Sequence, residues 1–168
     1  MVELRKVSIG NIGAALKCMT LKLLPEQKSF VASNRNSLIQ AFGINRRMIG
    51  KGSKAIPYAI YANSEMVGFI MYGFFTKKFD NKYGSKYGED HYYFWRFMID
   101  KNHQGKGYAS KALVQILNEI RQKPHGDADY CYVSYEPANE VVRKWYQNLG
   151  FEETGKINNG ELVARMAL

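Results

Sequence analysis

The chain has 168 residues, 46% of them apolar, which excludes a disordered polymer and suits one domain over 1–168 with its own core. Twenty-four Lys and Arg against 15 Asp and Glu leave a net charge of +9, which favours anionic partners. The cations form no single block of the kind a nucleic-acid footprint shows, and no run approaches the roughly eighteen apolar residues that span a bilayer, so neither nucleic acid nor membrane is an expected partner.

Alternation over Val2–Val7 predicts a first strand. Ser8 is a candidate cap for a helix through Ala14, Ala15, Leu16 and Met19, which Pro25 should break. A second helix is expected over Ser33–Ile44, with an irregular exit marked by Gly43, Gly50 and Gly52. Strands over Ala55–Ala62 and Met66–Phe75 flank a hairpin turn at Asn63-Ser64-Glu65. The polar stretch Thr76–Asp90 reads as a loop, either without a role or as a lid over a substrate. His91–Ile99 is a strand with almost no alternation, as when both faces are covered. A helix over 107–122, a strand over 129–135 and a helix over 139–149 follow. Two last strands lie around Phe151–Lys156 and Glu161–Met166, joined at Asn158-Asn159-Gly160. The order β-α-α-β-β-β-α-β-α-β-β predicts an α/β (mixed α+β) fold with helices on both faces of a mixed sheet.

The two cysteines, Cys18 and Cys131, make no disulfide framework, and Cys131 sits in an aromatic-rich strand as an inert core thiol. The N-terminal Met-Val-Glu-Leu-Arg-Lys carries no apolar leader core. A cytoplasmic location is therefore expected. No His/Cys cluster has metal-ligand spacing, so no metal is expected.

Two motifs carry chemistry. The first is Gln104-Gly105-Lys106 running into Gly107-Tyr108-Ala109, a Gln-x-x-Gly-x-Ala turn between strand and helix. Free N–H groups at a helix N-terminus, on a glycine turn, suit a phosphate or pyrophosphate. The same glycines also occur for turn geometry alone, and neither familiar nucleotide loop is present. The second motif is Asn139, Val142, Tyr146, Gly150 and Phe151, spaced Asn-x-x-Val-x-x-x-Tyr-x-x-x-Gly-Phe.

Together these motifs resemble the GNAT superfamily of N-acetyltransferases, over nearly the whole chain. Gln27–Leu38 and Trp95–Asp100 are similar to the bacterial spermine/spermidine or diamine acetyltransferase-like branch. The resemblance implies a mostly antiparallel sheet of six to seven strands. It implies acetyl-CoA as cosubstrate, held by Met98, Ile99, Gln104, Gly105, Lys106, Gly107, Tyr108, Ala109 and Asn139. It also implies a primary-amine acceptor. In this family the motif strand splays from its neighbour, which would leave N–H groups near Met98 and Ile99 free for the thioester oxygen. Tyr146 becomes the candidate catalytic acid toward the CoA sulfur; packed in the core, it would have no such role. Asn139 is a helix N-cap, a pantetheine contact, or both.

The base is not evident. Tyr92-Tyr93-Phe94-Trp95 lacks the carboxylate that many relatives carry there. Glu89, Asp90 and His91 at the strand's entrance, Glu136 and Glu26 are candidates, each also readable as a solvated group, and a water chain to bulk is an alternative; Glu26, Glu89, Asp90 and Glu136 are the candidates for holding a polyamine. Arg96, in an apolar strand, needs a partner and reads first as half of an ion pair. Other open readings are a protein or antibiotic amine as acceptor, and a CoA-binding module without turnover. A homodimeric assembly is left open.

Overall fold

The computed structural model describes residues 1–28, 33–47, 52–79 and 87–168. Among the described residues, seven strands form one sheet in the order β1-β2-β3-β4-β5-β7-β6. The strands are β1 (Val2–Lys6), β2 (Lys54–Ala62), β3 (Glu65–Phe75), β4 (His91–Ile99), β5 (Tyr130–Tyr135), β6 (Glu152–Asn158) and β7 (Glu161–Ala167). All neighbours pair antiparallel except β4 and β5, which run parallel. The helices α1 (Ile12–Thr20), α2 (Asn34–Arg47), α3 (Tyr108–Arg121) and α4 (Glu140–Asn148) are as expected in order and type.

Each sheet face closes its own core. On one face α3 buries Ala112, Leu113, Ile116, Leu117 and Ile120 against Ile70, Tyr72, Tyr92 and Phe94. On the other, Ala15 and Cys18 of α1 and Leu38 and Ala41 of α2 pack on Ala59, Phe69 and Met71. Two-sided burial explains why β3 reads as an unbroken apolar run. At Gly68 an added Cβ would lie 2.6 Å from the Met98 carbonyl oxygen, so glycine there lets β3 approach the end of β4. Cys131 is fully buried and unpaired, and burial pushes its thiol above the ordinary range.

Several boundaries differ from expectation. The first helix ends at Thr20, well before Pro25; that proline instead opens a 3-10 turn over Pro25–Gln27, where its missing N–H is harmless. α2 runs past Gly43 to Arg47, because the Asn45 side chain bonds both the N–H and the carbonyl of Ala55 at 2.8 Å and so anchors the last turn to β2. Gly50, and residues 80–86 of the loop expected over 76–90, lie outside the described residues. Among the described residues, no helix is long and apolar enough to cross a membrane, and no group of His, Cys, Asp and Glu is placed to hold a metal.

Candidate active site

β4 and β5 pair only over Tyr92↔Cys131, Tyr93↔Tyr132 and Phe94↔Val133, after which the two strands part. The β3–β4 register jumps at the same place: Tyr72 pairs with Phe94 and Met71 with Arg96, leaving Trp95 as a bulge. Bulges bend a strand and strengthen its twist. From Trp95 to Ile99, β4 keeps β3 on one side and loses β5 on the other.

The ladder decides which backbone groups are free. The Asp100 N–H donates to Val67 at 2.8 Å, and antiparallel pairs alternate, so Met98 also turns its N–H toward β3. Phe97 and Ile99 turn theirs toward the gap. Met98 borders the cleft with its side chain packed in the core against α1 and α2, and the N–H groups turned to the gap are those of Phe97 and Ile99.

Beyond β4 the chain makes the Gln-x-x-Gly-x-Ala turn. Gly105 and Gly107 have φ of +74° and +71°, where a side chain strains the backbone, although a Cβ at either would meet open space within the chain. The glycines are thus demanded by conformation rather than by crowding. Gly107 is the N-cap of α3 and has no side chain to cap with. Lys111 N–H returns to the Gly107 carbonyl, so the N–H groups of Tyr108, Ala109 and Ser110 at the positive helix end remain available for an anion. Gln104 supports this turn from behind. Its amide donates to the Ile99 carbonyl at 3.0 Å and exchanges two hydrogen bonds with Gln27, at 2.8 and 3.1 Å.

A cleft of about 300 Å³ follows from these pieces. It gathers Met98, Ile99, Gln104, Gly105, Gly107, Tyr108, Ala109 and Asn139. Lys106 stays outside, exposed, with its Nζ on the Asn102 carbonyl at 3.2 Å. Val142 of the second motif, with Phe97 and Trp145, forms the apolar wall. The sequence reading gave Phe97 and Trp145 no role in the site, and only their spacing from the two motifs could have signalled them.

α4 acts as a wedge in the gap. Trp145 stacks on Phe97 of β4 at 5.4 Å, while Tyr146 stacks on Tyr135 of β5 at 5.8 Å. Asn139 caps α4, its Oδ1 accepting from Val142 N–H at 3.2 Å. Its Nδ2 makes no hydrogen bond among the described residues. Tyr146 is 6% exposed and lines a smaller cleft of about 130 Å³ between the strands, together with Arg96, Glu136 and Glu161. Burial above all pushes its phenol up, so it stays protonated well into alkaline pH. Tyr146 is therefore both a packed aromatic and a cleft residue.

Arg96 does not form the expected ion pair among the described residues. Its guanidinium donates to Ser37 Oγ at 3.1 Å and to the Trp95 carbonyl at 2.7 Å, and burial lowers its pKa. On the face opposite α3 and α4, a third cleft of about 580 Å³ opens between α2, β4 and the β6–β7 turn. Phe75, Phe79, Tyr87, His91, Tyr93 and Trp95 dominate its wall, and Arg47 is its charged residue. Tyr93 and Trp95 border this cleft and the gap alike.

The four candidate carboxylates are not brought together. Glu136 lines the gap. Glu89 accepts from the Tyr132 hydroxyl at 2.5 Å, and Asp90 accepts from the Lys77 N–H at 2.7 Å. Glu26 is exposed in the turn Pro25–Gln27, and none of these last three lines a cleft described above.

Known proteins resemble this chain in sequence and in fold. Two curated relatives from Bacillus subtilis align over 112 residues, 64% of this chain and 66% of each relative's own length. One, from the subspecies natto, is 36% identical and named probable spermine N(1)-acetyltransferase; the other, from strain 168, is 35% identical and named spermine/spermidine N(1)-acetyltransferase. Among solved structures, the PaiA N-acetyltransferase of Thermoplasma acidophilum, determined with coenzyme A, superposes with a TM-score of 0.64 at 12% identity, covering 100% of this chain and 99% of that one. The aminoglycoside acetyltransferase AAC(6')-Ib, also with coenzyme A, reaches 0.68 at 14% identity over 99% and 95%. A profile of the acetyltransferase (GNAT) family matches residues 26–151, from the turn that holds Gln104 to the phenylalanine that closes the second motif, and the chain belongs to that family.

Proposed function

We propose that this protein is an acetyl-CoA-dependent N-acetyltransferase acting on a primary amine of a small molecule, with spermine and spermidine as the first acceptors to test. The observation that carries the reading is the parting of β4 from β5 directly above an uncapped helix N-terminus, in one continuous cleft. The residues fit the cosubstrate. Tyr108, Ala109 and Ser110 offer N–H groups for its pyrophosphate, and the open edge of β4 offers a backbone partner for its amide-bearing arm. The Asn139 amide is free to add a further contact. Acetyl-CoA supplies an activated acyl group; the protein supplies position and charge.

The roles then divide by place. The N–H of Phe97 or Ile99 stands where an oxyanion donor is needed, a function worth about 3–4 kcal/mol per donor. Tyr146 is the proton donor toward the departing sulfur, kept protonated by its burial. The acceptor enters from the aromatic cleft. Ring faces attract ammonium groups and cover methylene stems, so a polyamine can be held there without a carboxylate cage. This also suits a chain whose net charge is +9.

The test is thiol release from acetyl-CoA against a panel of spermine, spermidine, diamines, a lysine peptide and an aminoglycoside across pH 7–9. Turnover is expected to be fastest with the polyamines and to rise with pH, because the attacking amine must be neutral. Peptide or aminoglycoside turnover above that of spermidine removes the polyamine assignment. Cofactor protection without turnover of any amine removes the enzymatic one.

A further inference from the structure

The gap between the strands holds a hydrogen-bonded series that the reading above does not use. Tyr93 on β4 turns its hydroxyl to Ser134 Oγ on β5 at 2.7 Å. The Ser134 hydroxyl in turn donates to the carboxylate of Glu161, at the start of β7. Since Ser134 spends its proton on Glu161, Tyr93 donates to Ser134. All the donors point one way, from β4 to the carboxylate.

Position makes this a route rather than a local bond. Tyr93 lines both the aromatic cleft and the gap, so the series begins on a residue shared by the two. Glu161 lies beside the β6–β7 turn and is partly exposed, so a proton arriving there can leave to water. The other polar side chains that line the gap with it include Arg96 of β4, Tyr135 of β5, Glu136 and Asn139 beyond it and Tyr146 of α4. The stretch Tyr92-Tyr93-Phe94-Trp95 of β4 holds no carboxylate that could take the amine proton directly.

Resting on the acetyltransferase reading, we infer that Glu161 is the proton acceptor of the reaction, acting through Ser134 and Tyr93. As the amine nitrogen bonds to the acyl carbon it becomes cationic and must lose a proton. That N–H bond breaks as the Tyr93 oxygen takes the proton. Tyr93 passes its own proton to Ser134, and Ser134 passes its own to Glu161. Tyr93 and Ser134 each give up one proton and gain one, so the net proton movement is one N–H bond broken and one O–H bond made on Glu161. Tyr93 touches the substrate; Ser134 and Glu161 are positioning residues that act through it.

The test has two arms. Tyr93→Phe, Ser134→Ala and Glu161→Gln should each lower kcat about a hundredfold. KM for the amine and the melting shift produced by acetyl-CoA should stay unchanged. Because the three act as one unit, Tyr93→Phe/Ser134→Ala should be no slower than either single variant, and the solvent deuterium isotope effect on wild-type kcat should disappear in both singles. The second arm needs no substrate: in urea unfolding the same double variant should lose less than the sum of the two single midpoint shifts, as coupled neighbours do. Multiplying kcat losses, additive urea shifts, or variants that keep wild-type kcat overturn the relay while the acetyltransferase reading stands. A wild-type protein that releases no thiol with any amine, though acetyl-CoA still raises its melting temperature, overturns both.

Discussion

The cleft below β4 and the aromatic cleft lie on either side of the gap between the strands, which Tyr93 and Trp95 border, yet they are made of different material. The first offers its polar contacts from backbone, namely an unpaired strand edge, two residues with positive φ and a bare helix end, beside an apolar wall of Phe97, Val142 and Trp145. The second is mostly side chains, brought from α2, β3, β4 and the β6–β7 turn. A site made of backbone tolerates variation in the side chains around it but not in its glycines. A site made of rings can be changed one ring at a time without disturbing its neighbour. The division suits an enzyme that keeps its donor and selects its acceptor.

The largest effect that separates the two is loss of the donor site. Acetyl-CoA at 100 times its Kd stabilises a folded protein by about 2.7 kcal/mol, which for a chain of this size is a rise in Tm of roughly 5–10 °C. Gly107→Glu combines a side chain at φ +71° with a negative charge at the anion site, and is expected to abolish that rise. An undiminished shift in a thermal melt would show that the turn binds nothing.

Next comes the chemistry at the junction. Tyr146→Phe keeps the stacking on Tyr135 and removes one hydroxyl, so kcat is expected to fall about a hundredfold with acetyl-CoA affinity intact. The sign with pH is also set. Burial raises the phenol above its ordinary value, so its acidic form persists across pH 7–9 and wild-type kcat should climb to a plateau there without an alkaline fall. A fall between pH 8 and 9 in a rate profile would deny Tyr146 the acid role.

A smaller effect belongs to the aromatic side. Trp95→Leu is expected to raise KM for spermidine about two- to thirtyfold, the range of one cation–π contact, while leaving the acetyl-CoA shift alone. Steady-state kinetics at two salt concentrations sharpen this: a KM that climbs steeply with salt would shift recognition from the rings to surface carboxylates such as Glu89 and Asp90. The smallest expected effect is that of Gln27→Ala, which removes the exchange with Gln104 and should lower Tm by a few degrees, about 1 kcal/mol, with a few-fold weaker acetyl-CoA binding. A Tm and affinity equal to wild type would make Gln104 self-supporting.

What the sequence by itself determined was everything encoded within one element or one turn. Periodicity located the strands and helices in order, because the 3.6-residue and two-residue repeats reflect burial of one face whatever lies opposite. The Gln104–Ala109 turn was legible because positive φ at Gly105 and Gly107 is a local demand, and so was the N-cap at Asn139. Tertiary structure alone decided the rest. The bulge at Trp95 depends on the register between β3 and β4, and that register turned Met98 inward and Phe97 outward. α2 outran Gly43 because Asn45 found Ala55 on another strand. The aromatic cleft and the series Tyr93–Ser134–Glu161 draw on residues far apart in the chain, so no local pattern marks them. A side chain's partner across a sheet is chosen by strand pairing and by what the opposite helix leaves uncovered, and neither is written in the spacing of residues along one segment.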